Sequence, residues 1–281
     1  MNSGETIYVQ RFNAFARILH FFVIISFLTL ALTGMCLKFS TESWAQWTAS
    51  LFGSFRVLGV LHRIAAVITF GYFFGHFILV YQNYRKSGKP LLKFMTDENT
   101  GMIPNLRDLQ EIGETIKWFL GKGPRPAYGR WTYWEKFDYL AVFWGVAVIG
   151  FTGLCLWFPE FATRYLPGWF LNIATIIHSD EALLATGFIF TIHFYNTHLR
   201  PEKFPLDKVI FTGVLTLDEL KHERPREYEM LVKEGRLEEV ITDPPPKWLV
   251  IFAYVFGLSA VSIGLSLIFT IFFTLLKYTF K

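Results

Sequence analysis

The sequence predicts an all-α membrane protein: a four-helix bundle of two repeated helical hairpins, plus a fifth transmembrane helix. Three observations lead there: a heavy apolar and aromatic load, five long charge-free stretches, and a match between two parts of the chain. Of 281 residues, 52% are hydrophobic and 19% aromatic, with 31 phenylalanines. A soluble domain lacks the interior to hide that much ring surface.

The charge-free stretches are Ile18–Leu37, Ile64–Tyr84, Tyr139–Pro159, Ala182–Leu199 and Trp248–Leu276. A hydrocarbon core of ~30 Å needs about 20 helical residues, so each can span, the fourth with help from residues before it. Arg11 and Arg17 precede an apolar run too long for a cleavable signal, and no small-residue cleavage site follows, so the first helix is expected to stay. The N-terminus and the loops 85–136 and 200–247 carry 21 of the 27 basic residues; Lys38, Arg56, Arg63, Arg164, Lys277 and Lys281 are the rest. The positive-inside rule then predicts a cytoplasmic N-terminus and an outer C-terminus. The loop 200–247 sets eleven acids beside nine bases, a balance that argues against a nucleic-acid surface. The two cysteines, Cys36 and Cys155, sit in apolar helix ends without a C-x-x-C-H, which excludes covalent c-type haem and an iron–sulfur cluster. They read as small buried hydrophobes.

The self-match organises the chain. Thr33-Gly34-Met35-Cys36-Leu37-Lys38-Phe39 resembles Thr152-Gly153-Leu154-Cys155-Leu156-Trp157-Phe158, and at the same offset Arg11-Phe12 aligns with Arg130-Trp131 and Arg17 with Lys136. Leu61-His62 matches Ile177-His178, Gly71 to Phe74 matches Gly187 to Phe190, and His76-Phe77 matches His193-Phe194 after one inserted residue. Repeat 1 covers about 11–84 and repeat 2 about 130–199 within a bundle of residues 1–200. A cytoplasmic loop with short helices, 200–247, and a last span, 248–281, follow. In the loops, Leu106, Leu109, Ile112, Ile116, Phe119 and Leu120 recur at helical spacing, which suggests an amphipathic helix on the membrane face. Thr216-Leu217-Asp218-Glu219 reads as a capping box opening a short helix interrupted at Pro225, and Pro244-Pro245-Pro246 as a stiff lead into the last span.

Six of the seven histidines lie within or at the ends of spans: His20, His62, His76, His178, His193 and His198. Polar groups at membrane depth are costly and point to function. His62 and His76 are 14 residues apart and His178 and His193 are 15 apart. At ~100° and ~1.5 Å per residue each pair falls roughly on one helix face, ~21–22 Å apart along the axis. His62 can then face His178 on the outer side, and His76 can face His193 on the inner side. Such pairs suit bis-histidine haem b, whose six-coordinate iron serves electron transfer, with Gly71, Gly75 and Gly187 making room for a flat macrocycle. Zinc fits less well, because carboxylates and thiolates are scarce nearby. His20 and His198 break the repeat and sit at the inner level, where one haem needs only two ligands. Three readings stay open: His20 replaces His76 as partner of His193; His20 and His198 help bind a quinone; or the four hold two inner haems, three in all. An ideal α-helix points His193 and His198 about 140° apart.

Arg17-Ile18-Leu19-His20-Phe21 with Leu32-Thr33-Gly34 resembles the first span of cytochrome b subunits of membrane-bound formate dehydrogenases and nickel–iron hydrogenases. Leu61-His62-Arg63 resembles their second span, and His178 with His193 their fourth. The resemblance covers about residues 10–200. It implies His20 with His193 at the inner haem and His62 with His178 at the outer one. His76 departs from that pattern, and its spacing is instead similar to cytochrome b and b6. The segment His198 to Pro205 also resembles one in cytochrome b proteins found beside multihaem c-type cytochromes.

Together these readings lead to an expected b-type cytochrome subunit, multi-pass in a bacterial or archaeal inner membrane. It carries electrons between menaquinone or ubiquinone and a partner, either a multihaem c-type cytochrome or an iron–sulfur subunit. Two rivals are a self-contained reductase resembling cytochrome b561, and a haem-free membrane anchor.

Overall fold

The backbone of an apolar run must satisfy its own hydrogen bonds in lipid, and a helix does so within one segment. The computed structural model describes residues 6–97 and 100–279. Five of its helices are long and apolar enough to cross a bilayer: Ala14–Lys38, Phe55–Ser87, Tyr133–Trp157, Phe170–Leu199 and Lys247–Thr279. They are called here the first to fifth spans, and the chain is an all-α, multi-pass membrane protein. Local chemistry sets their ends. Asn13 Oδ1 accepts the Ala16 N–H at 2.8 Å, and Ser54 Oγ accepts the Val57 N–H at 3.3 Å, so each caps the span it precedes. Thr132 and Glu135 exchange bonds as a capping box before the third span. That span stops at Trp157, two residues before Pro159.

The described chain divides into two compact units. The first, apolar unit comprises Leu19–His76, Val142–Asp207 and residues 254–279. Rings lock its spans together: Phe27 meets Phe190 at 5.7 Å, and Phe21 meets Phe256 at 4.9 Å. Gly264 lets the fifth span press on the fourth, since a Cβ there would come 2.6 Å from Phe194 and 2.7 Å from Phe190. Each repeat closes over its cysteine. Cys36 packs with Ala45, Ala49 and Leu58, and Cys155 with Ala162 and Ala174. Both cysteines are free and buried, as expected of small hydrophobes. Lys38 pairs with Asp180 at 2.7 Å and Lys277 with Glu42 at 2.9 Å.

The second, polar unit comprises residues 6–18, Phe77–Ala141 and Lys208–Ala253. Its centre is a small antiparallel sheet that the sequence did not announce. Strand β1 (Tyr8–Gln10) lies between β2 (Val214–Thr216) and β3 (Ile241–Thr242). Strands of two or three residues are too short for a legible alternation. Val9, Leu215, Leu220 and Leu231 form the core beneath. The helix Leu217–Glu223 starts at the Thr216–Glu219 capping box, and Pro225 opens the next helix, Pro225–Lys233. Buried charge holds the rest. Arg11 and Arg130 grip opposite oxygens of Glu227 at 2.8 and 2.7 Å, while Arg224 binds Glu135 through two bonds of 2.8 Å. Lys136 reaches Asp108 at 3.0 Å, and Arg226 reaches Glu111 at 2.9 Å. Burial, with Arg224 and Arg130 close by, pulls the Arg11 guanidinium down to about 9.

Candidate functional site

In the apolar unit the second and fourth spans bring the rings of His62 and His178 together, edge to face. Their ring centres are 6.2 Å apart, with the planes at 74°. Two imidazoles on opposite sides of one metal, each bonded through nitrogen at ~2.0–2.1 Å, have centres ~6.3 Å apart. The separation of the two ring centres matches that of two imidazoles sharing one metal.

The other ring nitrogen of each histidine is tied down the same way. Nδ1 of His62 lies 2.9 Å from Thr33 Oγ1. Nδ1 of His178 lies 2.9 Å from the Ile149 carbonyl and 3.3 Å from Thr152 Oγ1. The hydroxyl protons are already committed, since Thr33 donates to Thr29 O at 2.6 Å and Thr152 to Val148 O at 2.7 Å. Each hydroxyl must therefore accept, which assigns the proton to Nδ1 and leaves the Nε2 lone pair for a metal. Beside each threonine a glycine makes room. A Cβ on Gly34 would come 3.2 Å from His62 Cε1, and one on Gly153 2.9 Å from His178 Cε1. Past the Cα of Gly71 and of Gly187 no heavy atom lies within 4 Å of where a Cβ would stand, which suits a flat group. Among the described residues, no three metal-binding side chains gather at one point, so a donor set for zinc is missing there.

Thr33, Gly34, Thr152 and Gly153 are the residues sequence reasoning missed. Their signal was visible, because the paired Thr-Gly dipeptides are the strongest part of the self-match. It served there to mark a repeat, although the same dipeptide also shapes the environment of each histidine.

The His178–His193 spacing, one residue longer than that of His62 and His76, falls in a span of mixed geometry. The fourth span changes from α to π geometry over Ile189–His193 and again over Tyr195–Leu199. The Phe194 N–H reaches Ile189 O, and the Arg200 N–H reaches Tyr195 O at 3.0 Å, both five residues back. A π turn takes up one extra residue per turn. The 140° expected of ideal α geometry therefore does not apply to His193 and His198. His198 stands within electrostatic reach of both His193 and His20, and His20 of His193. His198 Nδ1 accepts the Asp207 backbone N–H at 3.3 Å. The His76 ring packs edge-on against Phe143 at 6.0 Å.

A family model described as prokaryotic cytochrome b561 matches residues 11–200. The chain is also similar to the F420 non-reducing hydrogenase II cytochrome subunit of Methanosarcina mazei. The two are 25% identical over 232 residues, which cover 77% of this chain and 79% of that protein.

Proposed function

Because the chain belongs to the prokaryotic cytochrome b561 family, we propose that this membrane b-type cytochrome carries electrons across the bilayer between a redox partner subunit and the quinone pool. One observation carries the reading: two imidazoles on different spans, 6.2 Å apart, each with Nδ1 held by its own repeat. Haem b, the cofactor implied by the family, supplies a one-electron couple when bound. His62 and His178 would hold the outer haem, and the two Thr-Gly dipeptides orient them and fix their tautomers. His20 and His193 are proposed as the inner pair, supported by their mutual proximity and by the resemblance of the first span.

His198 has a different task. Its Nδ1 accepts a backbone N–H, so the neutral ring carries its proton on Nε2. Ligation through Nε2 needs the opposite tautomer, which argues against a third haem. An Nε2–H is instead suited to donate to a quinone carbonyl. Menaquinone and ubiquinone both offer that carbonyl. The similarity to a hydrogenase cytochrome subunit favours a complex in which an iron–sulfur or multihaem partner exchanges electrons with this chain.

The test is a reduced-minus-oxidised spectrum and a haem count on the purified chain, followed by quinone turnover with and without co-purifying subunits. Two b-type haems per chain and turnover that depends on the partner support the proposal. A chain without haem is an anchor, and turnover by the chain alone with soluble donors makes it a self-contained reductase.

A further inference from the structure

The helix Leu106–Phe119 belongs to the polar unit, yet it turns its polar side inward. Asp108, Glu111 and Thr115 are its buried residues. They are held by Lys136, by Arg226, and by the hydroxyl of Tyr128 at 2.9 Å. Leu106, Leu109, Ile112, Ile116, Phe119 and Leu120 fall in one arc of ~140° on a helical wheel. All six are exposed, Leu106 at 79% and Phe119 at 72%. A globular surface helix has the reverse arrangement, burying its apolar stripe and showing its charges to water.

We propose that this helix is an interfacial anchor, bedded by its apolar face in the headgroup–acyl boundary of the bilayer that the spans cross. Two observations select lipid as the occupant. The first is depth: Asp108 is pinned to Lys136, in the first turn of the third span and three residues before its charge-free stretch begins at Tyr139. A helix tied there lies at headgroup level. The second is charge. Lys117 stands at the rim of the apolar arc, with Lys122 and Arg125 just beyond the helix end, while the acids Asp108 and Glu111 face inward. Basic residues bordering an apolar face match anionic headgroups and can extend their charge toward them.

The inference stands apart from the redox chemistry, and its test needs no turnover. The full chain, reconstituted in nanodiscs of phosphatidylethanolamine and phosphatidylglycerol, carries a nitroxide at Leu109→Cys, Ile116→Cys or Gln110→Cys, the last on the polar rim. Both native cysteines are buried. Labels at 109 and 116 should collide with oxygen several-fold more than with a water-soluble nickel chelate, and the label at 110 should show the opposite preference. Nickel access at 109 and 116 equal to that at 110 overturns the proposal by leaving the face in water. Labels there that are immobile and shielded from both reagents also overturn it; spin–spin broadening would then identify a second copy of the chain, and its absence a protein partner.

Discussion

Arg11 and Arg130, 119 residues apart, each donate to the other's backbone carbonyl while holding opposite oxygens of Glu227. They align in the self-match of the sequence, so a single carboxylate joins the two matching segments. Glu227 is only 4% exposed, and its loss strands two guanidiniums. Glu227→Ala should cost about 3–5 kcal/mol locally, as breaking one side of a buried pair does. Hydrogen exchange at Tyr8–Gln10 should accelerate by roughly two to four powers of ten, with little change in the apolar unit. Arg130→Ala should do less, because that side chain is 31% exposed.

His62→Ala and His178→Ala should each remove one haem per chain and leave the other site spectrally intact. A pyridine haemochrome count checks this, and full haem content in both variants would remove the pair from consideration.

The supporting residues should grade the same loss. Thr33→Val and Thr152→Val take away an acceptor from Nδ1–H, and outer-shell changes of this kind cost ~10–100-fold in affinity for the bound metal group. Weaker hydrogen bonding also makes the imidazole a poorer donor, so the midpoint potential of that haem should rise. The effect should be larger for Thr33, whose contact is 2.9 Å against 3.3 Å, and smaller at Thr152 because Ile149 O still accepts. Among the glycines the order reverses. Gly153→Ala should disturb the site more than Gly34→Ala, because its Cβ would come 2.9 rather than 3.2 Å from the ring.

At the other group of histidines, His20→Ala should lose the inner haem and His76→Ala should keep it. His198→Phe should keep both haems and lose quinone turnover. Loss of a haem in the His198 variant would favour the third-haem reading instead.

Glu111 gives a pH signature. Burial raises its pKa above the usual 4.5, against the opposing pull of Arg226. Between 4.5 and the raised value the folded chain binds more protons than the unfolded one, so stability falls as pH rises through that window. Glu111→Gln should flatten this part of the thermal stability profile, measured by intrinsic fluorescence from pH 4 to 8. An unchanged slope would assign it to other carboxylates.

Much of this protein was legible before any tertiary contact was known. The spans were readable because charge is excluded from hydrocarbon and helices there must be about 20 residues long. The Thr-Gly-x-Cys copies and the six histidines stood out for related reasons: polar groups at that depth are costly enough to be rare. The small sheet was not legible, because two or three residues carry no detectable period. The relative facing of His193 and His198 was not legible either, since π turns absorb an extra residue and ideal α spacing no longer holds there.

Composition and spacing by themselves determined the all-α membrane class, the number of apolar helices and which side chains are out of place in lipid. These follow from solvation costs that act residue by residue. Only the tertiary structure decided which groups meet: that Thr33 and Thr152 accept from the Nδ1 protons, that His198 holds its proton on the opposite nitrogen, and that the Leu106–Phe119 helix shows its apolar side outward. Hydrogen-bond direction and facing depend on distances of a few ångströms between segments remote in the chain, and helical periodicity leaves those distances undetermined.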